Sequence, residues 1–310
     1  MFDLTFLGTA ASTPSPERGL SALLVGAGSE RFLIDCGEGT QRQLLRAGIG
    51  FRRLRRILLT HAHLDHVLGL GGLVATLGLF ELSGEVAVYG SRETVGFVQQ
   101  YLSGIWPERL PVPLRFVALD PGPVFAGRDY RISCFPVRHR GTESLGYRFE
   151  TAPRRHLRAD RLDALGVPPG PLRGQLAAGK PVVLPDGRQV APEEVEGPRT
   201  AVPTVAVVGD AEEVETLVAF VRGADALVIE ATFLDADAEL AAARGHLTAT
   251  QAARLASEAG VGALYLTHIS GRYDPDSIAA EARRLFANVR VMNDFDRVSV
   301  AAPPRSSALA

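Results

Sequence analysis

Short apolar runs of strand type alternate with turns through the first half of the chain, at residues 4–7, 21–25, 31–35, 56–60 and 86–89. Between them, apolar stretches of helical length fall near 41–47, 67–79 and 93–103. A second set of strand-like runs follows at 114–118, 130–137 and 145–150. Late ones at 204–208, 226–230 and 263–267 alternate with helical stretches at 212–221, 249–259 and 275–286. Strands interleaved with helices along the whole length predict a layered α/β architecture. No short-period repeat is present, and residues 1–300 read as one domain with a frayed, disordered tail at 301–310.

Residues 151–200 break the alternation. They hold a large share of the prolines, including Pro168-Pro169-Gly170-Pro171, and read as an inserted, flexible arm lifted off the core. Arg154, Arg155, Arg158, Arg161 and Arg173 there outnumber Asp160 and Asp163. An exposed basic arm suits phosphate-backbone binding, and a solvated loop made soluble by its arginines is the plainer alternative. His156 follows no strand and reads as a surface or RNA-facing residue of this arm.

Composition changes this picture only by exclusion. A hydrophobic share of 46% over 310 residues supports a sizeable core. No apolar run reaches the ~18 residues of a membrane span, and the first residues lack a basic-then-apolar leader, so a cytoplasmic location is expected. Cys36 and Cys134 cannot make a disulfide framework and read as buried, reduced thiols. A net charge of −2 gives no global case for nucleic-acid binding, so any such binding must be local. Lys180 is the only lysine; arginine suits bidentate phosphate contacts, and a codon bias toward arginine explains the same fact.

The segment His61-Ala62-His63-Leu64-Asp65-His66 changes the picture most. The chain has seven histidines, and three of them within six positions point to a metal or catalytic site. The flanking runs place the cluster on a strand-to-helix loop. Residues two apart in extended backbone face the same side, so His61 and His63 can grip one ion, with Asp65 and His66 facing a second. Imidazole and carboxylate donors without a nearby thiolate suit zinc, with manganese or iron also compatible. A two-metal centre needs further ligands, and His139, Asp210 and His268 each follow an apolar β run, where ligands gather at one sheet edge.

These residues resemble the ribonuclease Z family, tRNA 3′-processing endonucleases of the metallo-β-lactamase fold, over nearly the whole chain. Phe6-Leu7-Gly8-Thr9 with Pro14 and Arg18, Asp35-Cys36-Gly37-Glu38-Gly39-Thr40-Gln41, Gly209-Asp210, Glu230-Ala231-Thr232-Phe233, Gly245-His246-Leu247-Thr248 and Thr267-His268-Ile269-Ser270-Gly271-Arg272-Tyr273-Asp274 match its motifs in order. The His61–His66 cluster alone identifies only the superfamily. The later motifs, with Pro169-Gly170-Pro171 inside a basic insertion, narrow it. The resemblance implies an αββα four-layer sandwich with a protruding substrate-binding arm, best matched by residues 152–175. It implies two Zn2+ per subunit, one on His61, His63 and His139, the other on Asp65, His66 and His268, with Asp210 bridging. It further implies Asp65 as proton acceptor and a homodimer in which one subunit's arm serves the other's site. The expected reaction removes the 3′ trailer from precursor tRNA, leaving a 3′-hydroxyl on the tRNA and a 5′-phosphate on the trailer; neither DNA nor membrane is an expected partner. His246 is a candidate general acid for the departing 3′-oxygen or a donor to a phosphate oxygen, with Glu230 holding its imidazole in the needed tautomer; the plainer role for the pair is to tie the last helices to the sheet. Ala211 in place of threonine, Gly19 in place of asparagine and Gly71 in place of proline depart from the family pattern without removing a ligand.

Three rivals share parts of this reading. A general phosphodiesterase, an arylsulfatase-like hydrolase or a thioesterase of the same fold shares the ligand cluster but has no need of a basic arm. A non-catalytic RNA-binding protein would lack ligands, and all seven positions are filled. A di-iron oxidoreductase would favour a carboxylate where this chain has His63, and a flavin-binding partner domain.

Overall fold

The computed structural model describes residues 1–80, 84–127, 130–151, 156–197 and 202–301. Arg154, Arg155 and residues 302–310 lie outside them. The first half supplies strands β1 (Phe2–Gly8), β2 (Ala22–Ala27), β3 (Glu30–Ile34), β4 (Leu54–Leu58), β5 (Val86–Gly90) and β6 (Leu114–Ala118), with helices α1 (Thr40–Arg46), α2 (Leu64–Val67), α3 (Gly69–Leu79) and α4 (Arg92–Ile105). Next come β7 (Gly122–Ala126), β8 (Tyr130–Val137) and β9 (Ser144–Thr151). The insertion holds α5 (Ala159–Ala164), α6 (Pro171–Ala177), the hairpin β10 (Val182–Val183) and β11 (Gln189–Val190), and α7 (Pro192–Val195). The chain closes with β12 (Thr204–Val207), α8 (Val218–Val221), β13 (Ala226–Glu230), α9 (Ala238–Arg244), α10 (Ala249–Ala259), β14 (Leu264–Thr267), α11 (Pro275–Arg283), β15 (Val289–Val291) and β16 (Arg297–Val300).

Two seven-stranded sheets result, ordered β16-β1-β2-β3-β4-β5-β6 and β15-β14-β13-β12-β9-β8-β7. The inner faces carry aromatic and branched residues such as Phe2, Phe6, Phe32, Tyr147 and Phe149, which pack together as one core. Leu33, Ile57 and Val88 face outward against Leu70, Val74, Val98 and Leu102 of the first helices. On the far side Leu227, Ile229 and Leu266 meet Ala252, Ala253, Ala256 and Ile278. Helix, sheet, sheet and helix therefore form the expected four-layer αββα sandwich, because each strand alternates its apolar residues between two buried faces.

Three boundaries differ from the pattern read along the chain. The helix expected over 67–79 begins earlier and is interrupted at Leu68. There the Gly69 N–H donates to Cys36 O, and a Cβ on Gly69 would stand 2.0 Å from Gly37 O, so only glycine permits this approach to the β3–α1 turn. The helix expected over 212–221 is reduced to Val218–Val221. Val214, Leu217 and Val221 are buried, but residues 212–217 are not helical, and the Ala211 and Glu212 amides bond Glu230 and Arg138 O instead. The last helix stops at Arg283 rather than 286. Within the insertion, Leu162, Val167, Leu176, Val182, Leu184, Val190 and Val195 form a small apolar cluster of their own.

Candidate metal centre

Seven ligand-type side chains meet at one edge of the sandwich. His61 and His63 lie in the loop after β4, Asp65 and His66 in α2, and His139, Asp210 and His268 follow β8, β12 and β14. The ligand atoms of His61, His63, His139 and Asp210 lie within 4.8 Å of one another, and so do those of Asp65, His66 and His268. Asp210, His246 and His268 form a third, overlapping group. The two oxygens of Asp210 face opposite ways. Oδ1 stands 3.4 Å from His66 Nε2 and 3.5 Å from His268 Nε2, whereas Oδ2 stands 3.8 Å from His61 Nε2 and 3.9 Å from His139 Nε2.

The imidazoles are aimed by what holds their other nitrogen. The Thr60 hydroxyl donates to Asp35 Oδ2 at 2.8 Å, so its oxygen is left to accept from His61 Nδ1 at 3.0 Å. His66 Nδ1 donates to the same carboxylate oxygen at 2.8 Å. A parallel arrangement serves the other sheet: the Thr232 hydroxyl donates to Glu230 and accepts from His268 Nδ1 at 2.9 Å, while His246 Nδ1 lies 3.0 and 3.1 Å from the two Glu230 oxygens. His139 Nδ1 donates to Gly245 O at 2.7 Å. With each Nδ1 hydrogen engaged, the Nε2 lone pairs of His61, His66, His139 and His268 turn to the centre.

Some of the atoms facing the centre lack partners of their own. His61 Nε2, His66 Nε2 and Asp210 Oδ1 are buried without a hydrogen bond, and unpaired buried polar atoms are costly. Burial and the neighbouring imidazoles hold His61 below the ordinary histidine range, and burial with His139 does the same to His63. Burial likewise lowers His139. All three present neutral nitrogen donors. His66 goes the other way: burial opposes its charge, but Asp210 and Asp35 outweigh burial and raise it well above the usual value. Burial resists charge on Asp210 too, and His268 and His66 still hold it far below the ordinary carboxylate range. Buried carboxylates that draw a proton onto a neighbouring imidazole mark a place where a bound cation supplies the missing positive charge. The donor set of five imidazoles and two carboxylates therefore fits divalent metal.

Asp65 stands at the solvent side, its Oδ2 accepting from the Ser12 N–H at 2.9 Å and lying 3.3 Å from His268 Nε2. Burial would raise it, but His268 and His66 keep it ionised well below the usual range. For His246, burial works against protonation, yet the Glu230 carboxylate brings it up to about 9. In the insertion, Arg158 pairs with Asp160 and Arg173 with Asp163 at 2.6 Å, Arg161 Nη1 lies 3.5 Å from Glu194 O, and His156 is exposed. Asp35, Thr60 and Thr232 have no role in the ligand pattern read from the chain, although Asp35 carries the same mark as the ligands, a polar residue directly after an apolar strand. Among the described residues no helix is long and apolar enough to cross a membrane.

Comparison with known proteins agrees with this geometry. The family model described as "Anti-Pycsar protein Apyc1" matches residues 2–151, and that of the "Beta-lactamase superfamily domain" matches residues 192–269. A ribonuclease Z of Bradyrhizobium diazoefficiens is 56% identical over 301 residues, covering 97% of this chain and 100% of the relative. The crystal structure of human tRNase Z, short form, superposes with a TM-score of 0.68 at 26% identity, over 96% of this chain and 99% of that one. A metallo-β-lactamase fold protein of Bacillus subtilis, YhfI, superposes with a TM-score of 0.70 at 21% identity, over 96% and 98% of the two chains, and speaks for the fold alone. With full-length identity of this order to a ribonuclease Z and a His/Asp centre suited to divalent metal, the chain belongs to the ribonuclease Z family and is an endoribonuclease of the metallo-β-lactamase fold.

Proposed function

We propose that this chain cuts precursor tRNA at the 3′ end of the mature sequence, leaving a 3′-hydroxyl on the tRNA and a 5′-phosphate on the trailer, at a centre of two zinc ions. The observation that carries this is the split of the Asp210 carboxylate between two groups of three ligands. His61, His63 and His139 would hold one ion, Asp65, His66 and His268 the other, with Asp210 between them. Divalent ions so held would lower the pKa of a water and neutralise charge on a phosphodiester. Asp65, ionised and steadied by the Ser12 amide, accepts the proton of the attacking water. His246 donates to the departing 3′-oxygen; Glu230 occupies its Nδ1 and favours the protonated form, which leaves the Nε2 proton to give.

The substrate reading rests on the names of the relatives, "Ribonuclease Z" and "tRNase Z". In it the insertion, with Arg158, Arg161 and Arg173 among its described residues and Arg154 and Arg155 outside them, contacts the body of the tRNA. A cytoplasmic homodimer in which one subunit's arm serves the other's centre completes the proposal. Its test combines metal analysis of the purified protein with cleavage of precursor tRNA by wild type, Asp65→Ala and a variant lacking residues 152–199. Two zinc ions per chain, no cleavage by Asp65→Ala, and an arm deletion that loses precursor tRNA but still hydrolyses a small phosphodiester are expected. Cleavage by Asp65→Ala refutes the assigned chemistry, and equal loss of both activities on arm deletion refutes the assigned substrate contact.

A further inference from the structure

Arg140 directly follows the ligand-type residue His139 and takes a backbone conformation that side-chain-bearing residues seldom adopt, with φ at +48°. Neighbouring groups hold it there. Its own N–H donates to Glu212 Oε2 at 2.7 Å, and the Glu212 N–H donates back to Arg138 O at 2.9 Å, so the turn around His139 and the unwound start of the 212–221 stretch lock each other. Its aliphatic stem lies on Gly245, where a Cβ would stand 2.4 Å from Arg140 Cγ and 3.1 Å from Cδ. Gly245 has a φ of +69°, accepts the His139 Nδ1 hydrogen at 2.7 Å through its carbonyl, and directly precedes His246. Any larger residue at 245 would push the arginine away.

The result is a cationic side chain on the rim of the cleft, of about 230 Å³, that Arg140 lines together with His63, Asp65, Asp210 and His246. Arg140 is exposed there, and its guanidinium makes no hydrogen bond or ion pair among the described residues. Strained backbone persists where surrounding structure over-determines it, and it gathers at sites of function. A solubilising arginine has no need of such a setting. A guanidinium in that place presents a planar fork matched to two oxygens of a phosphate.

We infer that Arg140 binds the non-bridging oxygens of the scissile phosphodiester and so is a further substrate-binding residue of this centre. The inference deepens the proposed function and rests on its reading of this cleft as the place where a phosphodiester is cut. Its chemical requirement is only a phosphodiester anion, whether in RNA or in a small ester.

The test is Arg140→Gly, which removes the guanidinium while supplying the residue most tolerant of a φ of +48°. Arg140→Lys, which keeps charge and stem but not the fork, is the companion variant. For both, kcat/KM is measured on precursor tRNA and on bis(p-nitrophenyl) phosphate, alongside bound metal and the thermal midpoint. Arg140→Gly should lose about 10- to 100-fold on both substrates with metal and midpoint retained, and Arg140→Lys should lie between it and wild type. Activities within about twofold of wild type overturn the inference. So does a loss confined to RNA, which would put the arginine on the path of the strand away from the cut, and so does loss of metal in step with activity. A wild-type protein that hydrolyses the small ester but leaves precursor tRNA intact would sink the tRNA reading and still allow the Arg140 comparison on the small ester.

Discussion

Asp35 faces neither solvent nor the open side of the metal centre, yet it sets the direction of two imidazoles. Its Oδ2 takes the His66 Nδ1 hydrogen directly and, through the Thr60 hydroxyl, leaves His61 no choice of tautomer; its Oδ1 accepts the Thr60 N–H at 2.8 Å. It also sits at a φ of +58°, a turn conformation that places the carboxylate under the ligands rather than along the strand. Asp35→Ala leaves three buried donors without an acceptor, so metal affinity should fall about 10- to 100-fold in competition with a chelator. An unchanged affinity would show that the imidazoles are aimed by packing alone. Glu230 and Thr232 perform the corresponding task for His268 and His246, so each sheet brings one buried carboxylate and one threonine to the centre.

At the scale of elements, the ligands are placed by what happens just beyond each strand. Helix α10 starts at Ala249, directly after its cap Thr248, so the chain must turn away from His246 at once, and the cap makes that turn sharp. The Thr248 hydroxyl accepts from the Gln251 N–H at 3.2 Å and the Gln251 side chain returns a bond to the Thr248 N–H at 2.8 Å. This reciprocal cap ties the helix to the loop carrying His246. Thr248→Ala should cost about 1 kcal/mol in denaturant unfolding. No change in the unfolding midpoint would mean that tertiary contacts, not the cap, define this helix start. The bounds of this helix are legible in the chain because Thr, an Ala-rich amphipathic run and Gly260 punctuate it. Strands β7, β15 and β16 are not legible in the same way: they are three to five residues long, and their identity comes from pairing with β8, β14 and β1.

At the scale of the molecule, the centre joins the two halves. The first sheet's side supplies His61, His63, Asp65 and His66, and the second's supplies His139, Asp210 and His268. A cation held there binds the folded chain and not the unfolded one, so it links the sheets as well as serving the reaction. Stripping metal with a chelator should lower the thermal midpoint by roughly 5–10 °C, and adding zinc back should restore it. A midpoint indifferent to chelator would show that the sandwich core alone carries the stability. That core is large, with the inner faces of both sheets buried against each other, which is why the fold itself is expected to survive the treatment.

What the chain determined by itself is what depends on neighbours along the backbone. The strand and helix periods, and the donor types crowded into His61–His66, are local properties and were legible as such. So was the habit of His139, Asp210 and His268 to follow an apolar run. The tertiary structure decided which of these donors face one another: His139 Nε2 meets His63 Nδ1 at 3.1 Å across 76 residues, and His268 meets Asp65 across 203. It also decided the parts played by Asp35 and Arg140, because a carboxylate's hydrogen-bond partners and a guanidinium's freedom are set by groups brought close only when two sheets pack. Spacing along a chain specifies what a side chain can donate or accept, and packing specifies to whom.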